Sequence, residues 1–302
     1  MSAKKLAGAA VARILSVALV LAGVAASGRA NQGSVAEEKM AAGEEWCGRG
    51  QFQQAVLCWR EAARAFAQAK NAGGEIRALL RQAAACQSLG QHRLAVQVLD
   101  TAGSLAATSG DDRAAAKVSA ARGAIFIFAR EADEAEPLLR ASLKAAQSER
   151  DSDFAATIHN DLGILLAAQG RTVEALAAFE AALRNGDAEL VAKARKNMAD
   201  AAFGAGDYAG AERFAGQAVK AAAALDDGHE KAFVLMGVAR LLQQIFVAAP
   251  EHKNALRAQA LRLDQEAEKT RKKRATGARW PLRSATRARS TSLKNAPPRR
   301  WR

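Results

Sequence analysis

Between Asn31 and Ala249 the sequence has one proline, Pro137, and the whole chain of 302 residues has one tyrosine and only 5% aromatic residues. Such a scarcity of helix breakers and of aromatic strand formers excludes a β-sandwich or barrel and argues for an all-helical chain. Catalytic and metal-binding patterns are also missing. His92, His159, His229 and His252 are isolated, and His229-Glu230 is followed by Phe233 where a zinc-protease helix needs its second histidine. Gly204-Ala205-Gly206 has Ala209 where a dinucleotide fingerprint needs glycine, and no GKS or GKT phosphate loop occurs. The three cysteines, Cys47, Cys58 and Cys86, have neither C-x-x-C nor zinc spacing. Cys47 and Cys58 flank the turn at Gly50, where a bridge between antiparallel helices is geometrically allowed; the alternative is three small buried hydrophobes. The expectation is a non-enzymatic protein with no cofactor and no metal.

Negative charge is absent from one region only. The net charge is +13, yet residues 269–302 hold 13 Lys and Arg and no acid, leaving residues 1–268 with 31 charges of each sign. Taken whole, a pI near 10.1 suggests a nucleic-acid or anionic-membrane binder acting through this basic tail. Taken by region, the body is neutral and the alternative weakens. At the other end, Lys4, Lys5 and Arg13 precede an uncharged run of 15 residues, Ile14–Gly28, with small residues at Gly28 and Ala30. A basic head, a short apolar run and a small-x-small exit make a secretory signal peptide over residues 1–30, with a retained membrane anchor as the alternative.

Self-similarity fills the middle. The register G-x-φ-x-x-A-x-x-x-φ-x-x-A, with φ a large residue, appears as Gly50, Phe52, Ala55, Trp59, Ala62 and recurs as Gly90, His92, Ala95, Leu99, Ala102. A copy with a degenerate start, Arg130, Ala132, Ala135, Leu139, Ser142, precedes Gly170, Thr172, Ala175, Phe179, Ala182 and Gly206, Tyr208, Ala211, Ala215, Ala218. The starts lie 40, 40, 40 and 36 residues apart, and a small residue stands seven positions before each: Gly43, Ala83, Gly123, Gly163, Ala199. Glycine ends one helix in a left-handed cap, alanine lets two helices approach, and the large residue fills the gap between them. Each repeat is therefore a helix hairpin, joined to the next near Asp111-Asp112, Asp151–Asp153 and Asp226-Asp227, which supply N-caps. A sixth hairpin is expected from Phe233–Gln244, with Gly237 as its small residue, and a helix from Glu251 to about Lys269.

These positions resemble the tetratricopeptide repeat. Leu162-Gly163-x-x-Leu166, Gly170, Ala175, Phe179 and Ala182 match its pattern, with Thr172 in the tyrosine's place. The resemblance covers residues 36 to about 220 and implies a right-handed superhelical solenoid over residues 31–268 that binds a peptide or partner helix in its concave groove. The long period looks like the arrays of bacterial proteins that carry a caspase-like CHAT domain, whose truncated recognition arm this chain would then be. On the family pattern the groove residues are Glu37 and Met40, Arg77 and Leu80, Lys117 and Ala120, Thr157 and Asn160, Lys193 and Lys196. Their basic and amide members imply a protein or peptide ligand of acidic character, against the alternative of a solvated charged face.

The basic tail admits three readings: an anion-binding arm, a segment with no role, and a reading-frame error. In the frame whose codons end on the first two bases of the present ones, Ser284–Arg302 permits VGYAGxLYExEKRAAEALA, which has the spacing of another repeat. Sequencing the DNA across codons 268–302 separates these readings: an error predicts a shifted frame that stays open and encodes further helices, and early stops in that frame contradict it.

Overall fold

The computed structural model describes residues 33–129, 131–248 and 253–275. Residues 1–32, which include the segment expected to be a signal peptide, and the tail beyond residue 275 lie outside the described residues. Those described form twelve helices and no strand: α1 (33–48), α2 (Phe52–Gln68), α3 (Ala72–Ser88), α4 (His92–Ser109), α5 (Asp112–Ala129), α6 (Ala132–Ser148), α7 (Ser152–Ala168), α8 (Thr172–Asn185), α9 (Ala188–Gly204), α10 (Tyr208–Ala223), α11 (His229–Ala248) and α12 (Lys253–Ala275). Consecutive helices pair as six hairpins, and the odd-numbered helices α3, α5, α7, α9 and α11 also touch one another in order. The result is a solenoid with the odd helices on its inner face.

Local chemistry sets the boundaries. Asn71, Asp111, Asp151, Asp187 and Asp207 each accept a hydrogen bond from the backbone N–H three residues on, at 2.8–3.3 Å. At the other ends, Gln51 N–H reaches Trp46 O, Gln91 reaches Cys86 O, Arg171 reaches Leu166 O and Asp207 reaches Ala202 O, all at 2.9 Å. This bond needs a left-handed residue between, and Gly50, Gly90, Gly170 and Gly206 supply it at φ between 71° and 80°. The degenerate third copy closes in the same way, Glu131 N–H to Phe126 O at 2.9 Å, so the hairpin persists there without glycine.

Packing follows the repeat register. Ala55, Ala95, Ala135, Ala175 and Ala211 are all 0% exposed, and Trp59, Leu99, Leu139 and Phe179 at most 2%. The small residue opposite makes room for the large one. A Cβ on Gly43, Gly123 or Gly163 would stand 2.3, 2.9 or 2.5 Å from the side chain of Trp59, Leu139 or Phe179. Ser142 takes an alanine's place in the third copy and stays buried because its hydroxyl donates to Leu138 O at 2.8 Å.

The sixth hairpin departs from the expected register. Gly237 faces Lys196 Cε on α9, 3.0 Å from where its Cβ would be. Ala239 is fully buried in one cluster with Ala260, Leu263 and Ala267 of α12. The 36-residue fifth period and the loop before His229 displace the pattern. The last helix also runs six residues past Lys269, because the stripe Ala260, Leu263, Ala267 continues to Thr270, which is 3% exposed. Arg262, Gln265, Glu266 and Lys269 cover its other face with polar groups, as an end helix of a stacked array requires. α11 is apolar enough to cross a membrane over its 20 residues, but here it packs between α9, α10 and α12.

The array turns back on itself. The Phe52 and His229 rings meet edge to face with centroids 4.9 Å apart, bringing the α1–α2 turn against the head of α11.

Gly163→Ala and Gly216→Ala separate packing from propensity. The first drives a methyl into the Phe179 ring and lowers stability by about 1–2 kcal/mol after the helix-propensity gain. The second enters open space on α10 and raises stability by about 0.5–1 kcal/mol. Thermal unfolding of both variants checks the opposite signs.

Candidate functional site

Each pair of groove positions splits into two roles. Among the fifth positions Met40, Ala120, Asn160 and Lys196 are 6–9% exposed, and Leu80 is half-buried. The second positions other than Thr157 pair with a charge on a neighbouring helix or turn. Arg77 on α3 pairs with Glu37 on α1. Lys117 on α5 reaches Asp151 at 3.6 Å and lies over the Phe154 ring, and Asp151 also accepts from Arg113 Nε at 3.1 Å. Lys193 on α9 pairs with Glu230 on α11 at 2.5 Å, and Lys196 with Asp200 at 2.7 Å. Thr157 spends its hydroxyl on Asp153 O of its own helix, 3.1 Å away. Among the sequence-derived groove residues Arg77, Lys117, Lys193 and Lys196, therefore, every cation already faces an acid.

Asn160 and Lys196 come together in one amide chain. Lys196 Nζ donates to Asn197 Oδ1 at 3.1 Å, and Asn197 Nδ2 donates to Asn160 Oδ1 at 3.0 Å. The chain lies in a concave cavity of about 710 Å³ whose walls include Ile164, Phe128 and Phe233. Phe128 is 58% exposed and Phe233 43%, large apolar areas for a surface without a partner. Lys196 Nζ sits 5.6 Å from the Phe233 ring centroid. The site thus offers two aromatic faces, a partly buried amide pair and paired charges. Arg77 and Lys117, on α3 and α5, do not line this cavity. Phe128, Phe233 and Asn197 escape the repeat register: Phe128 closes a helix, Phe233 follows the broken fifth period, and Asn197 is one residue beyond a groove position.

Next to the amide pair, Asp161 is half-buried and its carboxyl is pushed up to about 7 by loss of water; the Asn160 amide, 3.4 Å away, and the charge of Lys193 pull the other way. The three cysteines are unpaired thiols, Cys86 buried and Cys47 and Cys58 half-buried.

The tetratricopeptide repeat family matches residues 112–188, α5 through the start of α9. Among solved structures, BtubC (BKLC) from P. vanneervenii is 20% identical with a TM-score of 0.52, covering 76% of this chain and 94% of its own. The Rap conjugation gene regulator of the plasmid pLS20, in complex with the Phr* peptide, is 14% identical with a TM-score of 0.58, covering 79% of this chain and 74% of its own. No curated protein matches. Residues 112–188 match the tetratricopeptide repeat, the solenoid as a whole shares the fold of these structures, and the resemblance to CHAT-linked arrays has no counterpart in these matches.

The raised carboxyl gives a signed pH effect. Between about pH 4 and 7 the native Asp161 holds a proton that the unfolded chain has lost, so its contribution to stability falls as pH rises through that window. Asp161→Asn removes the penalty. Its Tm should exceed that of the parent by about 2–4 °C at pH 8 and by nothing at pH 4 in a thermal scan.

Proposed function

We propose that this protein is an exported, non-enzymatic scaffold that holds an extended peptide segment of a partner in its inner groove. An apolar side chain of the ligand sits between Phe128 and Phe233, and its backbone exchanges hydrogen bonds with Asn160 and Asn197. The observation that carries this reading is the pairing of two exposed aromatic rings with an amide chain, Asn160 buried and Asn197 half-buried, in one cavity of about 710 Å³. The Rap regulator, of similar fold, was solved with a peptide. Export rests on the basic head and apolar run of residues 1–30. Acidity of the ligand finds no support in the groove, since Arg77, Lys117, Lys193 and Lys196 are each matched by an acid. Recognition runs through amides and aromatic faces, which salt screens little.

Affinity capture from the exported fraction tests both halves. The full mature chain should retain its partner from about 0.05 to about 0.5 M salt. Phe128→Ser, which alters an exposed side chain, and the pair Asn160→Ala with Asn197→Ala should each weaken capture by about tenfold or more. Capture that survives these changes, or that fades with salt as a basic-tail binder's would, contradicts the reading.

A further inference from the structure

The contact between the two ends of the array differs from every other contact in it. Neighbouring hairpins share apolar clusters, and at the seam between the first and sixth hairpins the Phe52 and His229 rings meet edge to face beside Gly50. Gly50, at φ 73°, brings the α1–α2 turn so near α11 that a Cβ on it would lie 3.0 Å from His229 Nδ1 and 3.9 Å from His229 Cβ. Behind the rings the seam opens into a cavity of about 760 Å³. Glu44 and Arg81 line it from the first two hairpins, Lys193 and Glu230 from the last two. The gap has charged walls, and the Phe52–His229 pair spans it at one side.

The same ring leads into the ligand site. His229 lies 6.2 Å from Phe233 at a 32° tilt, Phe233 carries Lys196 over its face, and Lys196 donates to Asn197. Lys193 lines both cavities. A displacement at His229 therefore bears directly on one aromatic wall of the groove and, through it, on the amide chain.

We propose that the α1–α2 turn and the head of α11 form a latch that holds the superhelix closed, and that the groove admits its ligand when Phe52 and His229 part. The inference rests on the peptide-groove reading for the identity of what enters. The latch stands on its own contacts. Opening of the latch and occupancy of the groove are then linked, each favouring the other by the same factor.

Two variants of the full chain, compared without any ligand, test it. Gly50→Asn keeps the left-handed turn, which asparagine tolerates, and places a side chain where His229 lies. Cys47 lines the seam cavity, so in a Cys58→Ser, Cys86→Ser background its reaction with 5,5′-dithiobis(2-nitrobenzoate) reports opening. The wedge should raise that rate by about tenfold over the parent at one pH, with an unchanged helical circular dichroism spectrum. The converse variant carries Gly50→Cys and His229→Cys with Cys47→Ser and Cys58→Ser. Its Cβ separation of 3.9 Å suits a disulfide. Oxidised glutathione should close the bridge nearly completely, and amide exchange around Phe233 and Lys196 should slow relative to the reduced form. An unchanged Cys47 rate in the wedge, a bridge that fails to form in the folded chain, or exchange at Phe233 that ignores the bridge overturns the latch. Because no ligand enters these measurements, a working latch on a protein that captures no peptide would contradict the function proposed above and leave the latch intact.

Discussion

Close approach of two helices at a glycine or alanine is the constraint on which the remaining architecture depends. Where Gly43, Gly123 and Gly163 leave out a side chain, Trp59, Leu139 and Phe179 fill the space, and each hairpin becomes a flat, dense unit. A chain with 5% aromatic residues can build a core in this way because one large residue per hairpin serves two helices. The alanines that surround it, all fully buried, contribute little area each, so stability comes from repetition.

Dense hairpins stack with their odd helices inward, and that placement decides the electrostatics of the groove. Long basic side chains at the second positions reach the acids of the next helix or turn, Glu37, Asp151 and Glu230, and hold adjacent hairpins in register. Half-exposed pairs of this kind add little stability each. Their larger effect is to leave the inner face without unmatched cations at those positions. What remains for a ligand is the amide chain of Asn160 and Asn197 and the faces of Phe128 and Phe233.

Much of this was legible in the sequence. The glycine turns, the alanine rows and the large residue of each hairpin follow from a period of 40 because one-dimensional spacing maps directly onto helix faces. Of the fifth positions on the family pattern, Met40, Ala120, Asn160 and Lys196 are buried. The neutralisation of the second positions was not legible, since Arg77 and Glu37 are 40 residues apart and Asp151 belongs to a turn. The first helix of the sixth hairpin begins at His229 and not at Phe233, because the shortened fifth period breaks the 40-residue count. The extension of α12 to Ala275 was missed because net basic charge outweighed a stripe that still continued at Thr270. The meeting of Phe52 with His229 is the sum of small rotations between successive hairpins, a quantity that no local pattern carries.

The central claim is a neutral-grooved solenoid closed on itself by apolar and aromatic contacts. Small-angle X-ray scattering of the full chain tests it most directly. Closure through the rings at Phe52 and His229 predicts a profile that fits the closed array and a radius of gyration that stays constant between about 0.05 and about 0.5 M salt. A larger radius, or one that grows as salt is added, would show an open superhelix held in shape by charge and would contradict the account.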